Sequence, residues 1–157
     1  MLRGVSAWCP THAGTRTYCS AVSSRNARFG TPEAFTRCVE SLGTVRVRPE
    51  VRLSEQPAPQ RIAPFSAAVA AEIIQAGIEE PLASGRFIVL HDPGGPVAWD
   101  GCWRLVTYAS ASVEPELGID PLLGQVGWSW LTDALDGGGC SHRALGGTVT
   151  RVVSESY

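Results

Sequence analysis

Residues 86–111 read RFIVLHDPGGPVAWDGCWRLVTYASA, and this stretch is the most informative about the fold because it holds two apolar segments separated by a strong turn signal. The four consecutive apolar residues of RFIVLH include two β-branched ones, which is typical of a strand covered on both faces. In DPGGP, Pro restricts φ while Gly permits positive φ, so the chain is expected to turn there. Residues 102–110 then alternate in side-chain direction as a returning strand. The stretch therefore predicts an antiparallel hairpin with a long loop.

Tryptophan is concentrated beside this hairpin. Four of the five tryptophans lie between Trp99 and Leu135, at positions 99, 103, 128 and 130. A Trp side chain buries a large area when it packs, so the fold is expected to be organised in this part of the chain. Residues 127–135, which carry two of the four, predict a helix that packs against the hairpin.

The remaining elements follow from periodicity and from the positions of Pro and Gly. Residues 32–42 predict a helix with Thr31 as its N-cap. Residues 61–76 predict a longer helix, because one apolar stripe with spacings of three and four runs along it: Ile62, Phe65, Val69, Ile73 and Ala76. Pro49 interrupts an extended segment and limits it to an edge strand. Residues 114–125 predict irregular or broken helix.

Together these elements predict an α+β fold, with a small, mainly antiparallel sheet and helices packed on it. The predicted strands are residues 86–91, 102–110 and 148–154, and the packed helices are residues 61–76 and 127–135.

Composition and charge bound the class of protein. The chain has 157 residues, of which 44% are hydrophobic and 18% charged, as in a soluble globular protein with one domain. Its formal charge of −2 gives no reason to expect a nucleic-acid surface. The longest apolar tract, residues 62–74, is interrupted and shorter than the roughly 20 residues that a bilayer requires. We therefore expect no membrane contact. The five cysteines are odd in number and include no CxxC pair, which favours a cytoplasmic location.

Residues 1–31 differ in character from the rest of the chain. They contain four arginines and no acidic residue, yet they lack the continuous apolar core of a secretory signal. We expect a disordered or non-native leader over residues 1–31, followed by a single domain over residues 32–157.

Four unusual tracts occur in order along that domain: RPEVRLSEQPAPQRIAPF, HDPGGPVAWDGCWRLVTY, DPLLGQVGWSWL and GTVTRVVSES. From about Phe35 to Tyr157 the chain resembles the actinobacterial domain of unknown function 3000 family. Members of that family typically continue past the equivalent of Tyr157 with strand-like sequence, so the resemblance implies a domain that is incomplete at its C-terminus. The family has no established activity, and the resemblance therefore implies fold, lineage and compartment but no catalytic residue.

The hairpin loop carries the residues with the best chemistry for catalysis. His91 could act as a general acid or base in a hydrolase, with Asp92, Asp100 or Glu114 as the orienting carboxylate. However, adjacent strand residues point to opposite faces, and an Asp before Pro-Gly serves the turn itself. The chain has no GxSxG or HExxH motif.

A partner or small-ligand surface is the leading functional hypothesis. Its predicted residues are Trp99, Arg104, Trp128 and Trp130, because aromatic and Arg side chains anchor contacts with partners and stack on ligands. The alternative is that Trp128 fills the core and Trp130 covers its rim. A binding surface requires that Trp99 or Trp130 be exposed, whereas an enzyme requires that His91 and a carboxylate converge.

A weaker hypothesis is RNA binding through residues 46–61, whose basic members are Arg46, Arg48, Arg52 and Arg61. Interleaved glutamates and the absence of aromatic residues argue instead for a solvated edge.

No cofactor and no metal are expected. Cys102, Cys140 and His142 could meet in space, but the five cysteines include no CxxC pair, and one close Cys–His pair is a weak metal signal. The Gly-rich stretches also lack the spacing of nucleotide-binding loops.

Overall fold

The computed structural model describes residues 32–59, 61–78 and 80–154. The elements in chain order are α1 (Glu33–Gly43), β1 (Val51–Gln56), β2 (Phe65–Ile73), β3 (Ala83–His91), β4 (Trp103–Ala111), α2 (Pro115–Ile119) and α3 (Leu123–Gly137). These residues form an α+β fold, which confirms the predicted class. The leader predicted over residues 1–31 lies outside the described residues.

Among the described residues, the chain divides into two compact units at Ser112. The sheet unit contains α1 and the four strands, and the helical unit contains α2, α3 and the segment up to residue 154. The single domain over residues 32–157 and the packing of helix 127–135 on the sheet stay predictions. No helix in the described chain has the length and apolar character needed to cross a membrane.

The sheet is an antiparallel meander with the strand order β1-β2-β3-β4. The predicted hairpin is confirmed as β3 and β4, in a register that places His91 opposite Trp103 and Ala83 opposite Ala111. The strands are joined through a turn in which the Gly95 N–H donates to the Asp92 carbonyl at 3.0 Å. The short 3-10 helix Val97–Trp99 follows this turn.

Residues directly opposite each other share a face of the sheet, so the register defines an apolar face. We use this name for the face formed by the odd-numbered residues of the strands, whose large members are Val51, Leu53, Phe65, Val69, Ile73, Phe87, Val89, His91, Trp103 and Leu105. Val89 is fully buried at its centre. Leu90, on the opposite face, is also buried. The prediction that this strand is covered on both faces is therefore confirmed at Val89 and Leu90 of β3.

The predicted helix over residues 61–76 is wrong, since residues 65–73 form the nine-residue strand β2. The apolar positions 65, 69 and 73 are four apart, and this spacing places them on one side of a strand as well as of a helix. The intervening alanines are also small enough for either. Pairing decided the outcome, because β2 lies between β1 and β3 and forms hydrogen-bonded ladders with both. Two ladders outweigh the modest helix propensity of Ala.

The predicted strand over residues 148–154 is also wrong. This segment has no regular secondary structure and lies against the helices of its own unit. A Cβ placed on Gly127 would lie 3.8 Å from Val149 Cγ1, and one on Gly118 would lie 4.0 Å from Val153 Cγ2. The β-branched residues that suggested a strand therefore pack against glycines of α2 and α3, while the Arg151 guanidinium donates to the Asp120 carbonyl.

The other predicted elements are confirmed with shifted bounds. Helix 32–42 corresponds to α1, which has Pro32 at the N-cap position, while Thr31 lies outside the described residues. The edge strand corresponds to β1. Helix 127–135 corresponds to the longer α3, and the irregular stretch before it contains α2.

Gly85 provides a test of the β3–β4 register. A Cβ at this position would lie 3.0 Å from the Tyr108 carbonyl oxygen, which is a backbone atom of the neighbouring strand. We expect Gly85→Val to lower the free energy of unfolding by about 1–3 kcal/mol, because the strand must move to admit the side chain. Urea denaturation followed by circular dichroism measures this change. Gly43→Ala is the matched control, since a Cβ there meets no atom within 4 Å. Equal stability of Gly85→Val and wild type would contradict this packing.

Candidate functional site

Four rings converge at one end of the apolar face, and we call them the aromatic cluster: Phe35, Phe65, His91 and Trp103. Phe65, His91 and Trp103 occupy one row across three strands, because Phe65 lies opposite His91 and His91 lies opposite Trp103. Phe35 of α1 lies above that row, with its ring centroid 5.8 Å from Phe65 and 6.2 Å from Trp103. The cluster thus joins α1 to the sheet.

His91 lies at the centre of this cluster and is only 7% exposed. Its ring stacks on Trp103 with the centroids 4.1 Å apart. Its Nδ1 lies 3.1 Å from the Cys102 carbonyl oxygen, which also accepts the Asp92 N–H at 2.9 Å. Because a carbonyl only accepts, Nδ1 must carry the proton, which leaves Nε2 as the unprotonated nitrogen of the neutral ring.

Burial lowers the pKa of His91 below its ordinary value, although the hydrogen bond to Cys102 and the charge of Asp92 act in the opposite direction. The desolvation of a cationic imidazolium among aromatic rings is the dominant effect. The side chain is therefore held as a neutral ring that packs and donates one hydrogen bond.

The carboxylates proposed to assist His91 have other surroundings. Asp92 Oδ1 accepts the Gly94 N–H at 2.8 Å, so this carboxylate stabilises the turn, as the DPGG pattern suggested. Asp100 is exposed and ends the 3-10 helix in a left-handed conformation with φ of 49°. Glu114 precedes α2 in the helical unit. In the described ranges, no carboxylate forms a hydrogen bond to His91, so the hydrolase hypothesis stays a prediction without geometric support.

The four residues of the predicted binding surface divide between the two units. Trp99, half-buried in the 3-10 helix, and Arg104, exposed on β4, belong to the sheet unit. Trp128 and Trp130 belong to α3 in the helical unit. A surface that unites all four residues stays a prediction.

Trp128 and Trp130 differ in their environments. Trp128 is half-buried against the C-terminal segment, where a Cβ on Gly147 would lie 2.7 Å from its Cζ3 atom. Trp128 also borders an open groove of about 540 Å³ whose other walls include Val149 and Arg151. Trp130, in contrast, is 51% exposed. Trp128 therefore packs within its unit, whereas Trp130 presents much of its ring to solvent.

Trp130 belongs to an exposed row of apolar side chains. Trp130 is predicted from the sequence as a surface residue, but the other members of the row are not. Leu122, the N-cap residue of α3, is 55% exposed and Val126 is 39% exposed, and with Trp130 they follow the four-residue spacing of one helix face. We call these three residues the α3 stripe. The spacing is visible in the sequence, but an apolar row on a helix ordinarily indicates the buried face.

The arginines of the RNA hypothesis are all exposed. Arg46 and Arg48 precede β1, and Arg52 lies on β1 directly opposite Glu72 of β2. An acidic neighbour across the strands weakens a phosphate site and is typical of a solvated sheet edge.

Cys140 and His142 lie close together in the helical unit, whereas Cys102 precedes β4 in the sheet unit. His142 Nδ1 lies 3.1 Å from the Cys140 backbone carbonyl oxygen. Within the part of the chain that the structure describes, no group of three His, Cys, Asp or Glu residues could hold a metal ion.

The environment of His91 predicts a pH dependence of stability. Because folding lowers the pKa of His91, the unfolded chain takes up this proton first as the pH falls below about 6.5. We therefore expect the free energy of unfolding to be highest above that pH. It should decrease as the pH falls toward the lower pKa that His91 has in the folded chain. When the pH is lowered from 7.5 to 5.5, the thermal midpoint of wild type should decrease by more than the thermal midpoint of His91→Phe. This variant keeps a ring in the cluster but has no titrating group there.

The exposed His142 provides the matched control for this measurement. His142→Gln removes a histidine outside the aromatic cluster and is measured alongside as the comparison variant. An identical pH dependence in His91→Phe and wild type would show that His91 contributes nothing to it.

Comparison with known proteins adds the lineage. A family model described as "Protein of unknown function (DUF3000)" matches residues 31–157. No curated protein and no solved structure matches the chain. The matched range includes all seven elements of the fold and both compact units as far as residue 157. The chain is therefore a member of the DUF3000 family of proteins of unknown function.

Proposed function

We propose that the protein is a non-enzymatic binding domain that recognises a partner protein through the α3 stripe, with Trp130 as the principal anchor. The observation that carries the proposal is the 51% exposure of Trp130 on a regular helix. Trp is strongly enriched among the residues that dominate binding energy at protein interfaces.

The geometry of the stripe supports a helix that lies in a groove of its partner. Leu122, Val126 and Trp130 follow each other at four-residue intervals, as do the anchors of helices that dock into apolar grooves. Trp128 supports this arrangement indirectly, because its contact with Gly147 holds α3 against the C-terminal segment of the same unit.

Charge indicates what surrounds the groove of the partner. The helical unit carries five acidic residues and two arginines among residues 113–154: Glu114, Glu116, Asp120, Asp133, Asp136, Arg143 and Arg151. Both charged residues of α3 itself are acidic, and Asp133 lies three positions beyond Trp130. A partner with an apolar groove and a basic rim is complementary to this surface, and such a rim accelerates association at low salt.

A protein partner is better supported than a small ligand. Small-molecule sites are usually concave and bury most of their ligand, whereas the groove beside Trp128 is open. Trp99 and Arg104 of the sheet unit remain secondary candidates for contact with the same partner.

The proposal is tested by capture with immobilised protein from a lysate of the source cells, followed by binding measurements with each purified captured protein. We expect one captured protein to bind wild type and to bind Trp130→Ala at least tenfold more weakly, because the anchor is removed. Asp133→Arg should reduce the association rate most strongly at low salt, because it reverses the charge beside the anchor.

The matched control is Ile62→Ala, which removes an apolar side chain that is 62% exposed in the other unit. It should bind as wild type does. Trp130→Ala and Ile62→Ala should both keep the thermal midpoint of wild type. A captured protein that then binds wild type and Trp130→Ala equally would contradict the proposal.

A further inference from the structure

We infer that the protein forms a homodimer in which β4 pairs antiparallel with β4 of a second copy, so that the two four-stranded sheets become one continuous sheet. The inference is independent of the α3 stripe, since it rests on the free edge of the sheet unit. β4 is the last strand in the sheet order, and it pairs only with β3 among the described strands.

The backbone groups on the outer side of β4 can be assigned residue by residue. The Asp92 N–H donates to the Cys102 carbonyl at 2.9 Å, and the Ser112 N–H donates to the Leu82 carbonyl at 3.2 Å. These bonds lie at the two ends of the β3–β4 ladder, and hydrogen-bonded pairs alternate along an antiparallel ladder. The even-numbered residues of β4 therefore direct their backbone groups to β3. The odd-numbered residues, from Trp103 to Ala111, direct theirs outward.

The two edges of the sheet differ in how they are protected from pairing. β1 has six residues with an Arg and a Glu among them, and Pro49 and Pro57 flank it. Such features discourage the addition of another strand. β4 has nine residues in unbroken register, no Pro, and Arg104 as its single charge. It is the edge that remains suited to strand addition.

A pairing of β4 with itself is complementary when it is centred on Thr107. In this register Trp103 faces Ala111 of the second copy and Leu105 faces Ala109, so each large side chain of the apolar face meets a small one. All odd-numbered residues then face each other, and their outward N–H and C=O groups pair. This match of shape along one strand favours a second copy over an unrelated strand.

The other face of β4 is compatible with the same register. Arg104 faces Ser110 of the second copy, so the two arginines are kept apart. Val106 faces Tyr108, which is 65% exposed in the single chain. Aromatic and β-branched residues form favourable cross-strand pairs.

The mass in solution tests the inference. We expect sedimentation velocity of the full chain to show a dimer of twice 16.7 kDa. Thr107→Pro removes an outward N–H at the centre of the interface and leaves the hydrogen bonds to β3 intact, since Pro is tolerated on an edge strand where its nitrogen faces solvent. This variant should sediment as a monomer. Trp130→Ala should remain a dimer, which separates failure of this inference from failure of the proposed function.

Cross-linking tests the register of the proposed β4–β4 pairing. It does so even if Thr107→Pro fails to fold. The Cα atoms of a directly opposed hydrogen-bonded pair lie about 5.5 Å apart, which is within the range of a disulfide. Under mild oxidation, Thr107→Cys should give a dimer on a non-reducing gel. Ser110→Cys should not exceed the wild-type background, because it faces position 104.

A wild-type chain that remains a monomer at about 100 μM would overturn the inference, as that concentration exceeds the dissociation constants of ordinary specific dimers. Equal cross-linking of Thr107→Cys and Ser110→Cys would overturn the proposed register and, with it, the complementarity on which the inference rests.

Discussion

The stack of His91 on Trp103, covered by Phe35, is the interaction on which the rest of the sheet unit depends. The rings are 4.1 Å apart and occupy directly opposite positions of β3 and β4, so they are in contact only in the observed register. A shift of one residue would move His91 and Trp103 to opposite faces. The same rings form the surface on which α1 rests through Phe35. One contact therefore aligns two strands and holds a helix, and it accounts for the burial of a titratable ring to which no carboxylate of the described residues is hydrogen-bonded.

The two units expose apolar surface in different ways, and this difference organises the functional interpretation. The sheet unit exposes β4 as an edge strand. The helical unit exposes the apolar side chains of the α3 stripe. The buried His91 serves packing, and Asp92 serves its turn. Protein association thus has more support among the described residues than catalysis.

A sequence pattern predicted its element correctly when it is compatible with one type of secondary structure, and it was unreliable when it is compatible with both helix and strand. The run RFIVLH, the DPGGP turn and the alternation after Cys102 are compatible with a hairpin and with little else, and β3 and β4 are where they predict. The spacing of Phe65, Val69 and Ile73 fits a helix and a strand equally. Trp128 and Trp130 are two residues apart on a helix, so their different exposure depends on what packs beside α3.

Local sequence patterns were enough to predict the α+β class, the hairpin, the helices α1 and α3, and the role of Asp92 in its turn, because each follows from interactions between residues close along the chain. Tertiary structure decided that residues 65–73 form a strand, since only the neighbouring β1 and β3 supply partners for both sides of their backbone. It also decided that residues 148–154 pack irregularly against glycines of the helical unit, and that His91 lies among rings from three other elements. These outcomes depend on contacts between distant residues, and local periodicity carries no information about them.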